Sequence, residues 1–104
     1  MARFDVYANP DPHEAQRLPY FLDVQNSHLQ ALATRVVVPL WHAAQLPLRA
    51  SELNPVVEFQ GQPLVMDTAS LAAVPLAALR RAVGNLSDQQ LTLQNALDAL
   101  FGAY

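Results

Sequence analysis

Apolar and polar side chains alternate along Tyr20-Phe21-Leu22-Asp23-Val24-Gln25. On an extended strand Tyr20, Leu22 and Val24 share one face, and Phe21, Asp23 and Gln25 share the other. A second run, Arg35-Val36-Val37-Val38-Pro39-Leu40, is almost continuously β-branched, which predicts a strand covered on both faces. Pro39 lacks a ladder donor, so the expectation places it at a strand end, an edge or a bulge. Nearer the N-terminus Phe4, Val6 and Ala8 alternate with Arg3, Asp5 and Tyr7, predicting a half-buried strand over residues 3–8. Asn9 to Pro19 is polar and holds Pro10, Pro12 and Pro19. It reads as a loop longer than a hairpin turn, of the kind that carries function.

After the second strand, Ser27 is placed to cap a short turn through Leu29 and Leu32. Trp41 to Leu53 reads as neither strand nor long helix, because Leu46-Pro47-Leu48 interrupts it. Asn54-Pro55 opens a strand over Val56 to Gln60, and Gly61-Gln62 reads as the turn into Pro63 to Asp67. Leu71 to Val74 suits one more short strand. From Leu76 the recurrence of Leu79, Val83 and Leu86 suits a short helix, with a strand as the alternative for its first few residues. Ser87-Asp88-Gln89-Gln90 then matches a capping box, with Ser87 at the N-cap and Gln90 three residues on. Leu93, Leu97, Leu100 and Tyr104 form one helical stripe with Ala96 and Phe101 beside it, and Gly102 stands where a helix commonly stops. The pattern describes a single domain over residues 1–104, mainly β within the α+β class, with antiparallel strands and a C-terminal α-helix.

Composition narrows what such a domain does. The hydrophobic share of 52% supplies a core, although alanine inflates it. The six basic residues are all arginine, the net charge is −3, and only Arg80 and Arg81 are adjacent. Without a basic stripe, direct nucleic-acid binding is not expected. Cysteine is absent, which removes disulfide and thiolate chemistry and fits a reducing compartment. Met1 to Asp5 leads straight into a strand pattern without an apolar signal segment. The longest apolar run, Leu71 to Leu79, is too short to span a bilayer and contains Pro75. A soluble, cytoplasmic protein with no membrane association is expected.

Catalytic constellations are sparse. His13, His28 and His42 lack the close pairing of a metal motif, which leaves only a site assembled by folding. No spacing of the carboxylates singles out an acid–base pair. The serines have no nucleophile-elbow context, and three glycines make no phosphate loop. No cofactor or resident metal is expected. The apolar end, Leu100-Phe101-Gly102-Ala103-Tyr104, has two readings: its aromatic residues dock onto a partner, or they complete the intrachain core.

Seven segments run across essentially the whole chain: Phe4-Asp5-Val6-Tyr7, Phe21-Leu22-Asp23-Val24-Gln25, Arg35-Val36-Val37-Val38-Pro39-Leu40, Glu52-Leu53-Asn54-Pro55-Val56-Val57, Ala73-Val74-Pro75, Leu86-Ser87 and Asn95-Ala96-Leu97-Asp98. Taken together, and in this order, they resemble the CcdB toxins of bacterial type II toxin–antitoxin modules. The resemblance implies an SH3-like β-barrel with a C-terminal helix, a two-fold homodimer, and a toxin held inactive by a cognate CcdA-like antitoxin. The family's type member is not an enzyme. It poisons DNA gyrase by binding the A subunit and trapping the cleaved-DNA state.

The type member's gyrase contact, a Trp-Gly-Ile tip, falls by position on Gly102, Ala103 and Tyr104, none of which matches. Its antitoxin contacts fall on His28 and Leu29, where the type member has two aliphatic residues, and on Asp98 and Phe101, of which Phe101 matches. Two alternatives remain at this level. One is a MazF-like ribonuclease toxin using His13 and Arg17 of the first long loop, against which the sparse basic charge argues. The other is a non-toxic homologue that sequesters antitoxin.

Overall fold

In the computed structural model, which describes residues 1–46 and 50–102, the strands form one curled antiparallel sheet with a helix across one face. The strands are β1 (Asp5–Ala8), β2 (Tyr20–Asp23), β3 (Thr34–His42), β4 (Val56–Phe59), β5 (Gln62–Met66), β6 (Ala72–Pro75) and β7 (Gly84–Asn85). The helix α1 spans Gln90–Phe101. The order across the sheet is β4-β5-β3-β2-β1-β7, with β6 pairing to β3 off this path. This half-barrel with one terminal helix is the mainly β, SH3-like barrel architecture expected from the chain.

The long strand β3 is the spine. Along one edge it pairs with β2, Leu22 opposite Val38 and Phe21 opposite Pro39. Along the other it changes partner: Thr34 to Val37 pair with β6, and Leu40 to His42 pair with β5. Pro39 therefore stands inside a central strand, not at an end or outer edge. It falls where β6 has ended and β5 has not begun. Its carbonyl accepts the Asp67 N–H at 3.0 Å on that side. A strand residue points its N and O to the same edge, so the missing donor faces the change of partner and leaves no ladder bond unmade.

Alternation in β2 and β3 resolves into two cores. Leu22, Val38 and Leu40 face the main core with Val6, Leu64 and Met66, and α1 covers it with Leu93, Ala96 and Leu97. Tyr20 packs at its border, edge-on to Phe59 with ring centroids 4.9 Å apart. On the reverse face Tyr7, Val37 and Leu79 form a smaller cluster with Phe21 and Val74. The polar members of the β2 pattern, Asp23 and Gln25, lie on that face too, but they are buried.

Several boundaries differ from the sequence expectation for physical reasons. β1 begins at Asp5 because Phe4 is buried with φ of 70°, outside the extended region. The hairpin turn lies one residue earlier than expected: Phe59 pairs with Gln62, and Gln60 and Gly61 both have positive φ. That is the requirement of a two-residue turn matching strand twist. Leu76 starts a single 3-10 turn, Leu76–Ala78, not a helix to Leu86. Leu79 then enters the reverse cluster and Leu86 the main core, so the chain crosses the sheet edge between them. The long loop 9–19 is ordered by buried Asn9. Its side-chain amide donates to Glu14 Oε1 and to the Leu18 carbonyl, both at 2.9 Å, while its Oδ1 accepts the Asp11 N–H at 3.0 Å.

The start of α1 also corrects the capping box. Ser87 opens a 3-10 turn, Ser87–Gln89, and α1 begins at Gln90 without a side-chain cap. Asn85 does the polar work instead. Its Oδ1 accepts the Ser87 N–H at 2.8 Å, and its amide donates to Asp5 Oδ1 at 2.9 Å and the Arg3 carbonyl at 3.1 Å. Gln89 turns to the sheet edge. Its amide accepts from Glu58 N–H at 3.1 Å and donates to the Glu58 carbonyl at 2.8 Å, covering β4 as a neighbouring strand would. Replacing Asn85 by alanine is therefore expected to cost about 1–2 kcal/mol, and Ser87→Ala less than about 0.5 kcal/mol. Denaturant midpoints at a common slope check this ordering, and a larger loss for Ser87 would restore the capping box.

Candidate partner-binding site

Two surfaces carry the candidate residues described by the structure: the turn after β2 and the outer face of α1. In the turn, Asn26 Oδ1 accepts the His28 N–H at 2.9 Å, and the Asn26 carbonyl accepts the Leu29 N–H at 3.1 Å. Asn26 thus builds the turn that the sequence assigned to Ser27. The Ser27 hydroxyl accepts the Arg3 N–H at 2.9 Å, and Gln30 donates to the Met1 and Ser27 carbonyls. The turn is tied to the N-terminal segment, with His28 and Leu29 both exposed.

Beneath it lies a buried charge pair. Arg35 is 1% exposed and Asp23 fully buried. The guanidinium engages the carboxylate with two bonds, Nε to Oδ2 at 2.7 Å and Nη2 to Oδ1 at 2.9 Å. Asp23 Oδ1 also accepts the Gln25 N–H at 2.9 Å, and Arg35 Nη2 donates to the Gln25 carbonyl at 3.1 Å. The Gln25 side chain joins in, its Oε1 accepting the Val36 N–H at 2.9 Å. Every buried side-chain nitrogen and oxygen among the described residues has a partner. Nearby, Tyr7 donates to Asp5 Oδ2 at 3.4 Å. Burial pushes its hydroxyl up from 10.0 to about 12, with Asp5 and Asp23 adding to the rise and Arg35 opposing it.

On α1, Leu93, Ala96 and Leu97 are buried and face inward. The opposite face carries Leu91, Gln94, Asp98 and Phe101, at the i, i+3, i+7, i+10 spacing of one helical stripe. Leu91 is 76% exposed and Phe101 70% exposed. Between them Gln94 Nε2 donates to Asp98 Oδ1 at 2.9 Å. Phe101 therefore does not complete the core. Leu91 was missed from sequence, although it lies two residues, about 200°, around the helix from Leu93. Gly102 closes α1 in the left-handed conformation, φ 79° and ψ 36°, with its N–H on the Asp98 carbonyl at 2.9 Å. Of the tip positions, Ala103 and Tyr104 lie outside the described residues.

The structure keeps the three histidines on separate elements. His13 precedes the 3-10 turn of loop 9–19, His28 is in the turn after β2, and His42 ends β3. Among the described residues no group of three or more histidines and carboxylates is placed to hold a metal ion. In loop 9–19, Asp11 accepts the His13 N–H at 2.9 Å and Glu14 accepts from Asn9. The carboxylates beside His13 and Arg17 thus serve the loop's own architecture. A polar cavity of about 230 Å³, lined by Ser51, Glu52, Pro55, Thr92 and Asn95, is smaller than usual small-molecule sites.

These features describe a half-barrel with a hydrogen-bonded turn and a helix face that shows apolar residues to solvent. The profile of the CcdB protein family matches residues 3–102, nearly the whole chain, and the chain belongs to the CcdB family. It is accordingly a toxin of the CcdB type, from a toxin–antitoxin module.

Two outcomes follow from the charge network. Arg35→Met leaves a buried carboxylate without its partner and is expected to cost about 3–5 kcal/mol, whereas the double change Asp23→Leu with Arg35→Met loses less. Chemical denaturation of both variants measures the difference. For Tyr7, the folded state holds the phenolic proton more tightly than the unfolded chain. Its contribution is fully present below pH 10.0 and lost as pH rises toward about 12, with a slope of at most about 1.4 kcal/mol per pH unit. The chain has no lysine to titrate in that window. Urea midpoints from about pH 9 to about pH 12 should fall, and Tyr7→Phe should flatten the fall.

Proposed function

We propose that this protein is a non-enzymatic toxin that inhibits DNA gyrase through contact between the C-terminal end of α1 and the gyrase A subunit. In this reading it acts in the cytoplasm as a homodimer that presents two helix ends. A cognate CcdA-like antitoxin neutralises it by docking on His28, Leu29, Asp98 and Phe101. Gly102, Ala103 and Tyr104 supply the gyrase contact in place of the type member's Trp-Gly-Ile.

The observation that carries this reading is Phe101, 70% exposed at the last turn of α1 in a chain of the CcdB family. Interface energy concentrates in a few such aromatic anchors, and exposure makes this ring free to meet a partner. Leu91 extends the same face. The antitoxin part is supported by Leu29, an exposed leucine in an ordered turn. Antitoxin segments that order on binding adapt readily to changed side chains such as His28 and Asp98. For residence in the cytoplasm, the support is that no described helix is long and apolar enough to cross a membrane and that the proposed target works there.

Deletion of Ala103 and Tyr104 is expected to abolish growth arrest and inhibition of supercoiling by purified gyrase, while the shortened chain still folds, dimerises and binds antitoxin. Phe101→Ala should change stability by less than about 0.5 kcal/mol yet weaken partner binding. Circular dichroism, sedimentation and supercoiling assays read these outcomes. A folded, truncated protein that remains fully toxic would exclude the tip mechanism and direct attention to His13 and Arg17.

A further inference from the structure

We propose that Gln25 and Arg35 are positioning residues for partner binding: from beneath the turn they grip the backbone of Leu29 and thereby fix how its side chain is presented. This inference rests on the antitoxin-binding reading above and names what holds that surface in place.

The geometry is specific to one peptide group. The Leu29 carbonyl accepts from Arg35 Nη1 and from Gln25 Nε2, each at 3.4 Å. Its side chain is 46% exposed. Backbone and side chain of Leu29 are therefore engaged differently, the carbonyl held by the network and part of the side chain left to solvent.

Both donors are themselves fixed. Arg35 is locked by its two bonds to Asp23, at 2.7 and 2.9 Å. Gln25 is oriented by the Val36 N–H, which must meet its oxygen and so turns its NH2 toward Leu29 and the Thr34 carbonyl, 3.3 Å away. Gln25 is only 9% exposed and Arg35 1%, so each would act on a docked partner mainly through Leu29. Residues 24–33 form a connection without regular structure, and such a segment ordinarily loses affinity to the entropy of ordering. Two buried donors on the Leu29 carbonyl remove part of that cost before binding.

A purely fold-stabilising role makes a different prediction. It lowers global stability but leaves the affinity of the folded protein unchanged. Arg35→Met exposes the fold to an unpaired Asp23 and is a poor probe, so Gln25→Met, of similar length, carries the test with Leu29→Ala and the double variant. Amide hydrogen exchange on the protein alone should show residues 27–33 exchanging at least about tenfold faster in Gln25→Met, with Val38 and Leu40 unchanged. Titration with the antitoxin translated from the reading frame adjoining this gene should show binding weakened about tenfold by Gln25→Met. The subsequent loss of the Leu29 side chain should cost less than in wild type, because coupled residues are non-additive. Unchanged exchange in the turn, unchanged affinity, or fully additive losses would overturn the inference. A wild-type chain that does not bind the antitoxin would overturn the antitoxin reading as well, whereas a binding wild type with an unaffected Gln25→Met would overturn the positioning role alone.

Discussion

The bidentate bond between Arg35 and Asp23, 2.7 and 2.9 Å long, is the constraint around which the rest of the sheet is arranged. Burying two opposite charges costs several kcal/mol for each ion, and their attraction offsets this only when the remaining donors and acceptors are satisfied. Here they are satisfied by the backbone and by Gln25. The carbonyl of Asp23 also accepts the Phe4 N–H at 2.6 Å, so the same residue joins β2 to the N-terminal turn. The pair need not add net stability to be decisive. A slip of β2 by one residue would turn Asp23 into the main core opposite Val38, among apolar side chains that offer its charge no partner. The pair thus penalises the wrong register, in a domain whose stability margin is small because a chain of this size buries only about 60–70% of its unfolded surface.

The two faces of the sheet divide the work. The front face is apolar and closed by Leu93, Ala96 and Leu97 of α1. The reverse face is part apolar cluster and part polar network. The candidate partner surfaces lie where each arrangement reaches solvent. On the front it is the outer stripe of α1, running from Leu91 to Phe101. On the reverse it is the turn at Leu29. Neither uses side chains that the core needs, since Leu91, Phe101 and Leu29 are all exposed.

How much of this was legible in the sequence depended on how many readings a pattern allowed. Alternation over residues 20–25 has a single extended solution, and it located both faces of β2. The β-branched run of β3 likewise announced cover on both sides. Pro39 misled because a lone missing donor says nothing of where a neighbouring strand changes, and that is set by β5 and β6 far along the chain. Leu76, Leu79, Val83 and Leu86 have helical spacing, but the same residues serve a chain that passes from one face to the other. Ser87 was chosen over Asn85 because the capping box considers only residues inside its own window, while Asn85 is committed to Arg3 and Asp5 some eighty positions away. Burial of Asp23 and Gln25 was hidden for a similar reason: alternation assigns a face, and only the folded sheet shows whether that face is wet. Leu91 was missed although its angle, off the stripe of Leu93 and Leu97, was the signal that could have found it. The tip beyond Gly102 was placed only through family resemblance.

In the proposed reading, presenting and contacting groups are separate, which suits a chain that keeps the CcdB scaffold yet departs in sequence from the type member at its tip. Asp23, Gln25 and Arg35 sit in segments that carry the resemblance, and each makes several buried bonds, so replacing any one leaves others unsatisfied. The side chains of His28 and Phe101 are exposed and meet no such demand among the described residues. Asp98 is intermediate, its side chain accepting from Gln94 on the same helix face. Exchange of an exposed side chain commonly changes stability by less than about 0.5 kcal/mol, while a lost interface anchor changes binding by about 2 kcal/mol or more. Variation at the surface is therefore weighed by the partner, and variation in the network by the fold. In the proposed reading, such a toxin follows changes in its antitoxin or target one contact at a time, because the backbone beneath Leu29 is held by buried Gln25 and Arg35 and not by the exposed side chains.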